Sequence, residues 1–134
     1  MPIRNLFKKK STDEVKAEKL SPGEMPEPGD VEGYMRRGWA YHTKGNQAEA
    51  EADFKQALML DAESVDANYA LGLTKKAQGE IEPALEYFRK AMNLIEAGKI
   101  DEGMQPEMIR RLTLGHINEL TDGDWNLEDE IWHK

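Results

Sequence analysis

Residues 31–64 read VEGYMRRGWAYHTKGNQAEAEADFKQALMLDAES, and residues 65–98 read VDANYALGLTKKAQGEIEPALEYFRKAMNLIEAG. Shifted by 34 positions, the second stretch lies on the first with like residues on like. Gly38 falls on Gly72, Gly45 on Gly79, Ala50 on Ala84, Phe54 on Phe88 and Ala57 on Ala91. Lys55-Gln56-Ala57-Leu58 falls on Arg89-Lys90-Ala91-Met92. A fixed period of this length marks a stacked repeat, in which each unit buries its apolar face against its neighbours.

Each unit reads as two helices. Tyr34, Gly38 and Tyr41 recur at helical spacing and share one face of a first helix. Gly45-Asn46 ends that helix, because glycine enters the left-handed region without a Cβ clash. A second helix over about Gln47–Leu60 carries Ala50, Phe54, Ala57 and Leu58 on one stripe. The small residues let the two helices approach, and Phe54 fills the space between them. Unit two repeats the scheme with Gly72, Ala84, Phe88 and Ala91; Gly79-Glu80 is its break, and Pro83 stands in the first turn of its second helix, where proline is tolerated.

These residues resemble the tetratricopeptide repeat. The match is Tyr34, Gly38, Tyr41, Gly45, Ala50, Phe54 and Ala57 in unit one, and Leu71, Gly72, Gly79, Ala84, Phe88 and Ala91 in unit two. The resemblance covers about half the chain and implies an all-α fold, a right-handed α-solenoid of antiparallel helix hairpins. Departures are Arg37 where the family prefers leucine, Asn68 and Lys75 at aromatic positions, and Ala62 and Glu96 in place of the closing proline. The last should let the second helix of unit two run on towards Gly98.

Beyond Gly98 the register slips. Leu114-Gly115 lies 43 positions after Leu71-Gly72, and the extra residues fall around Ala97–Pro106. A helix over about Pro106–Leu120 is expected as the first helix of a degenerate third unit, capping helix four, since two repeats alone bury little. The expected organisation is an arm at 1–30, units at 31–64 and 65–98, a loop and capping helix at 99–122, and a tail at 123–134. The arm, with three prolines and two glycines in Ser21–Asp30, excludes a continuous helix there and is expected to be weakly ordered, with a short helix at Thr12–Leu20 allowed. The tail is acidic, with Trp125, Leu127, Ile131 and Trp132 at intervals.

Composition narrows the function. The net charge of −8 argues against a general nucleic-acid binder, which needs clustered Lys and Arg. The chain has no cysteine, so disulfides, zinc thiolates and a Cys nucleophile are ruled out. No run approaches the roughly 18 apolar residues of a membrane span, and the first residues lack a signal-peptide core; a cytoplasmic protein is expected. Ile3, Leu6 and Phe7 beside Lys8-Lys9-Lys10 give too little apolar surface for stable membrane attachment, so a plain basic arm is expected. His42, His116 and His133 lack metal-ligand spacing, and there is no phosphate loop or nucleophile elbow. Neither an enzyme nor a cofactor is expected. Acid pairs such as Glu49 and Glu51 read as solvated faces.

The resemblance implies a protein-binding module, an adaptor or scaffold, whose first helices line a groove for a partner's peptide or helix. By that resemblance the partner-binding positions are Met35, Trp39 and His42 in unit one and Tyr69, Leu73 and Lys76 in unit two, with Glu32 and Asp66 at the same level. Members that bind chaperone tails clamp a carboxylate with Lys and Asn. Those positions here read Met35, Trp39 and Ala70, so the clamp is absent and an apolar, aromatic groove with an acidic rim is expected. The alternative is an assembly or autoinhibited protein whose groove is filled by its own arm or tail, or by a second copy in a homodimer.

Overall fold

The computed structural model describes residues 20–121, and they contain five α-helices, a short 3-10 turn and no strand. The helices are α1 (Val31–Thr43), α2 (Gln47–Leu60), α3 (Val65–Ala77), α4 (Ile81–Glu96) and α5 (Pro106–Leu120). The expectations for the short helix at Thr12–Leu20, the Lys8-Lys9-Lys10 arm and the acidic tail lie outside the described residues, save Leu20 itself.

Packing follows chain order. α1 pairs with α2 and α3 with α4; α2 packs on α3, α4 packs on α5, and α1 touches α3. The hairpin turns centre on Gly45 and Gly79, at φ of 84° and 80°. That is the left-handed region, where a side chain is strained. Within each hairpin the closest approach is a ring on a glycine. A Cβ built on Gly38 would lie 2.5 Å from Phe54 Cε1, and one on Gly72 would lie 2.5 Å from Phe88 Cε1. Both phenylalanines are fully buried. The period of 34 is thus a period of ring-on-glycine contacts, each holding a first helix to its second.

α4 ends at Glu96, two residues further into its unit than Leu60 stands in unit one, although both units lack the closing proline. The connection from α4 to α5 then turns back to α3. Asp101 accepts hydrogen bonds from the backbone N–H groups of Val65 at 3.2 Å and Asp66 at 2.8 Å, and from the Ser64 hydroxyl. Ser64 itself caps Ala67 N–H. These are free donors at a helix start, where a carboxylate also meets the positive end of the helix dipole. The inserted residues that break the repeat register therefore serve as a second cap for α3.

The proline-rich stretch forms no continuous helix. Pro22–Glu24 is a 3-10 turn opened by Ser21, whose N–H and hydroxyl both donate to Glu24, and Pro22 is buried. Glu27 then pairs with Arg37 of α1 at 3.1 Å. Asp30 caps α1 by accepting from Gly33 N–H at 2.8 Å.

Candidate binding surface

The expected partner-binding residues divide into two groups. Met35 is 6% exposed and belongs to the core with Ala67, Ala70 and Leu71, so α3 covers it rather than leaving it on the surface. Trp39 is half-buried. Its ring packs edge-on against Phe54 at 5.2 Å and His42 at 5.7 Å, and its side chain is near enough to Asp66 of the next unit to act on that carboxyl group. His42 is held by Gln47, whose Oε1 lies 2.8 Å from Nδ1. Unit one thus presents an indole edge and an imidazole, both fixed from behind by α2.

Tyr69, Leu73 and Lys76 face α5. Tyr69 and Leu73 pack with Leu120 against Leu85, Phe88 and Ile117. His116 stacks on Phe88 with centroids 5.1 Å apart and planes 5° apart. Lys76 Nζ lies 3.2 Å from His116 Nδ1 and 2.6 Å from Glu119. An ammonium has no lone pair, so Lys76 donates and Nδ1 accepts; Nε2–H then donates to the Tyr69 hydroxyl at 3.2 Å. That tautomer is the neutral imidazole. Burial, and then the Lys76 charge, push the His116 pKa below its ordinary value, against an opposing pull from Glu119. His116 lies 43 positions after Leu73, as Leu73 lies 34 after Trp39. The same row of successive first helices therefore carries Trp39, Leu73 and His116, and extending the register through the slip identifies the third member.

One turn along α1 from Trp39, at Met35, lies a cavity of about 550 Å³ lined also by Val31, Ser64 and the acidic residues Glu32, Asp61, Asp66, Asp101 and Glu102. The carboxylates come from α1, from the approach to α3 and its first turn, and from the α4–α5 connection. Burial raises the Asp66 pKa, the neighbouring Asp101 charge raises it further, and the nearby Trp39 side chain works against both. Tyr69 is raised by burial and by Asp66. The cavity gathers carboxylates, and a cation entering it lowers the raised Asp66 pKa by favouring its charged form. Glu32 and Asp66 belong to the expected groove row. Asp101 and Glu102 do not, because their loop has no counterpart in unit one; their excess of acids just past the register slip was the available signal. Among the described residues no cluster of three or more His, Cys, Asp or Glu has the arrangement to hold a metal ion. No helix of the described residues is long and apolar enough to cross a membrane.

A stack of helix hairpins, each closed by a ring on a glycine, defines a helical-repeat protein as the class. The tetratricopeptide repeat model matches residues 31–64 and 65–97, half of the chain, and the chain belongs to the tetratricopeptide repeat family. It is similar to tetratricopeptide repeat protein 16 of Homo sapiens, 40% identical over 60 residues that make up 45% of this chain and 7% of that protein. The Macaca fascicularis protein of the same name is 40% identical over 58 residues, 43% of this chain and again 7% of the relative. The chain thus spans a small fraction of the length of these relatives. Family membership makes it a protein-interaction module in general.

Proposed function

We propose that the chain is an adaptor that holds a peptide or helix of a protein partner along the row of first helices, with a basic side chain in the acidic cavity and an apolar side chain against the edge of Trp39. The observation that carries this reading is the juxtaposition of the two. Met35 and Asp66 line the cavity; Trp39 stands one turn after Met35 on α1 and is near enough to act on the Asp66 carboxyl group, so a ligand spanning a few residues meets both. An aromatic anchor beside a partly buried carboxylate, here Asp66, is the kind of spot where binding energy concentrates. The reading differs from a purely apolar groove, since Met35 is covered and α5 overlies Tyr69 and Leu73. It places the chain in an aqueous, reducing compartment such as the cytoplasm, which a cysteine-free sequence suits.

Trp39→Ala is a poor test, because Trp39 also packs on Phe54. Glu32 and Glu102 are exposed and form no part of the core. Peptides selected from a displayed random library should carry Lys or Arg near a large apolar residue. They should bind the Glu32→Lys/Glu102→Lys double variant at least tenfold more weakly, about 1.4 kcal/mol. Selected peptides without a basic residue, or peptides indifferent to the charge reversal, would count against the reading.

A further inference from the structure

α5 presents to solvent the face that a first helix ordinarily buries against its own second helix. In α3 that face is Val65, Asn68, Leu71 and Gly72, all buried. Forty-three positions on stand Met108, Arg111, Leu114 and Gly115, and all four are exposed. Met108 is 60% exposed, and nothing among the described residues lies within 4 Å of a Cβ built on Gly115. The opposite face is docked: Thr113 and Ile117, the counterparts of Ala70 and Thr74, are buried. α5 therefore has the register and the orientation of a first helix whose other side is left uncovered by the described residues.

The sequence after α5 follows the plan of the two complete units with one residue more in the turn. Each of those leaves its first helix through a three-residue turn with a central glycine, Lys44-Gly45-Asn46 and Gln78-Gly79-Glu80. Past α5, which ends at Leu120, the chain reads Thr121-Asp122-Gly123-Asp124, one residue longer, so this glycine stands eight positions after Gly115 where Gly45 and Gly79 stand seven after Gly38 and Gly72. The ring that seats on the first-helix glycine stands nine positions after the turn glycine, Phe54 after Gly45 and Phe88 after Gly79. Nine positions after Gly123 stands Trp132.

We propose that residues 125–134 of this same chain occupy the bare face of α5, taking the place of a second helix, with Trp132 seated on Gly115 between Met108 and Leu114. Arg111 on that face supplies a positive charge for the run Glu128-Asp129-Glu130. Burying Met108 and Leu114 under an indole removes from water the apolar surface that the described residues leave there.

Gly115→Ala in the full chain tests this through the sign of its effect. On an open helix surface, alanine is the better helix former and raises the melting temperature. Beneath a seated ring the added methyl collides, as one at Gly38 or Gly72 would. We expect Gly115→Ala to lower the melting temperature by roughly 4 °C or more in the otherwise native chain, and to raise it in a Trp132→Ala background. An effect whose sign does not depend on residue 132 overturns the proposal. The pair is measured across a hundredfold range of protein concentration with sedimentation alongside. Coupling that appears only where the protein is dimeric assigns the face to a second copy and also overturns it.

Discussion

Units one and two share a backbone plan but solve one position with opposite chemistry. Where a first helix meets its own second helix, unit two uses Leu71, fully buried, with Tyr87 from α4 packed on the same core. Unit one has Arg37 and Asp53 at the equivalent positions. Arg37 Nε and Nη2 each donate to an Asp53 oxygen at 2.8 Å, and Nη1 reaches Glu27 at 3.1 Å. Those hydrogen bonds raise the Arg37 pKa above its already high value and outweigh the burial that lowers it. The difference follows from place in the stack. Unit two lies between unit one and α5, where hydrocarbon on hydrocarbon serves best. Unit one stands first, with the proline-rich stretch against α1, and a fork of donors can hold that stretch and α2 together. A repeat therefore fixes geometry more firmly than it fixes the chemistry at each seat.

The largest effect should come from breaking the ionic version of that seat. Asp53→Ala leaves a guanidinium in the hairpin without its bidentate partner. It should cost about 3 kcal/mol in equilibrium unfolding. Replacing both partners with unit two's pair, Arg37→Leu with Asp53→Tyr, should return stability to within about 1 kcal/mol of the native chain, because a packed apolar pair substitutes well for a buried ion pair. If the double variant is as unstable as the single one, the two seats are not interchangeable.

A smaller effect separates the ways the two units start. α1 is capped by its neighbour Asp30, whereas α3 has both Ser64 and the remote Asp101. Asp101→Ala should cost about 1 kcal/mol and speed amide exchange at Val65 and Asp66 while leaving α1 unaffected. Equal loosening of both helices would show that Asp101 acts on the whole fold and not as a cap.

The smallest effect is the dependence on pH, and the two seams between units should give way in different ranges. Where α2 meets α3, burial alone would raise Glu51, but hydrogen bonds from Lys55, Lys75 and Gln78 outweigh it and hold its pKa at about 2. A carboxylate depressed on folding contributes stability above its ordinary pKa of 4.5, and that contribution is lost as the pH falls towards 2. Where α3 and α4 meet α5, His116 is depressed below 6.5, so stability there begins to fall as the pH drops through 6.5. Exchange should therefore rise first in α5 and only at lower pH between α2 and α3. Simultaneous opening would contradict this order.

Much of the fold was legible because its determinants repeat. Gly38 with Phe54 and Gly72 with Phe88 gave the hairpins, and Gly45 and Gly79 gave the turns. The apolar spacing after Pro106 gave α5 with its observed ends. The binding surface was legible only as a row of positions. Periodicity tells which side of a helix Met35 is on, but not that α3 leans over it. It gives Tyr69, Leu73 and Lys76 a common face without showing that α5 overlies them. The Asp101 cap joins residues 35 and 36 apart through a loop with no counterpart in unit one. Lys75, at an aromatic position of the family, is explained by Glu51 of the preceding helix at 2.9 Å. Asn68 donates to Ser64 O, but its buried Oδ1 has no partner among the described residues, and nothing in the structure explains that choice.

The central claim is that Trp39 and the acidic cavity beside it form one binding surface. Chemical-shift mapping of the isotope-labelled chain, titrated with a selected basic peptide, tests it most directly. The account predicts the largest shifts at the Trp39 indole N–H and at the amides of Glu32, Asp66 and Glu102, with the Asp66 carboxyl pKa falling as a cation arrives. Shifts confined to the outer faces of α2 and α4, with the Trp39 indole signal unmoved, would contradict it.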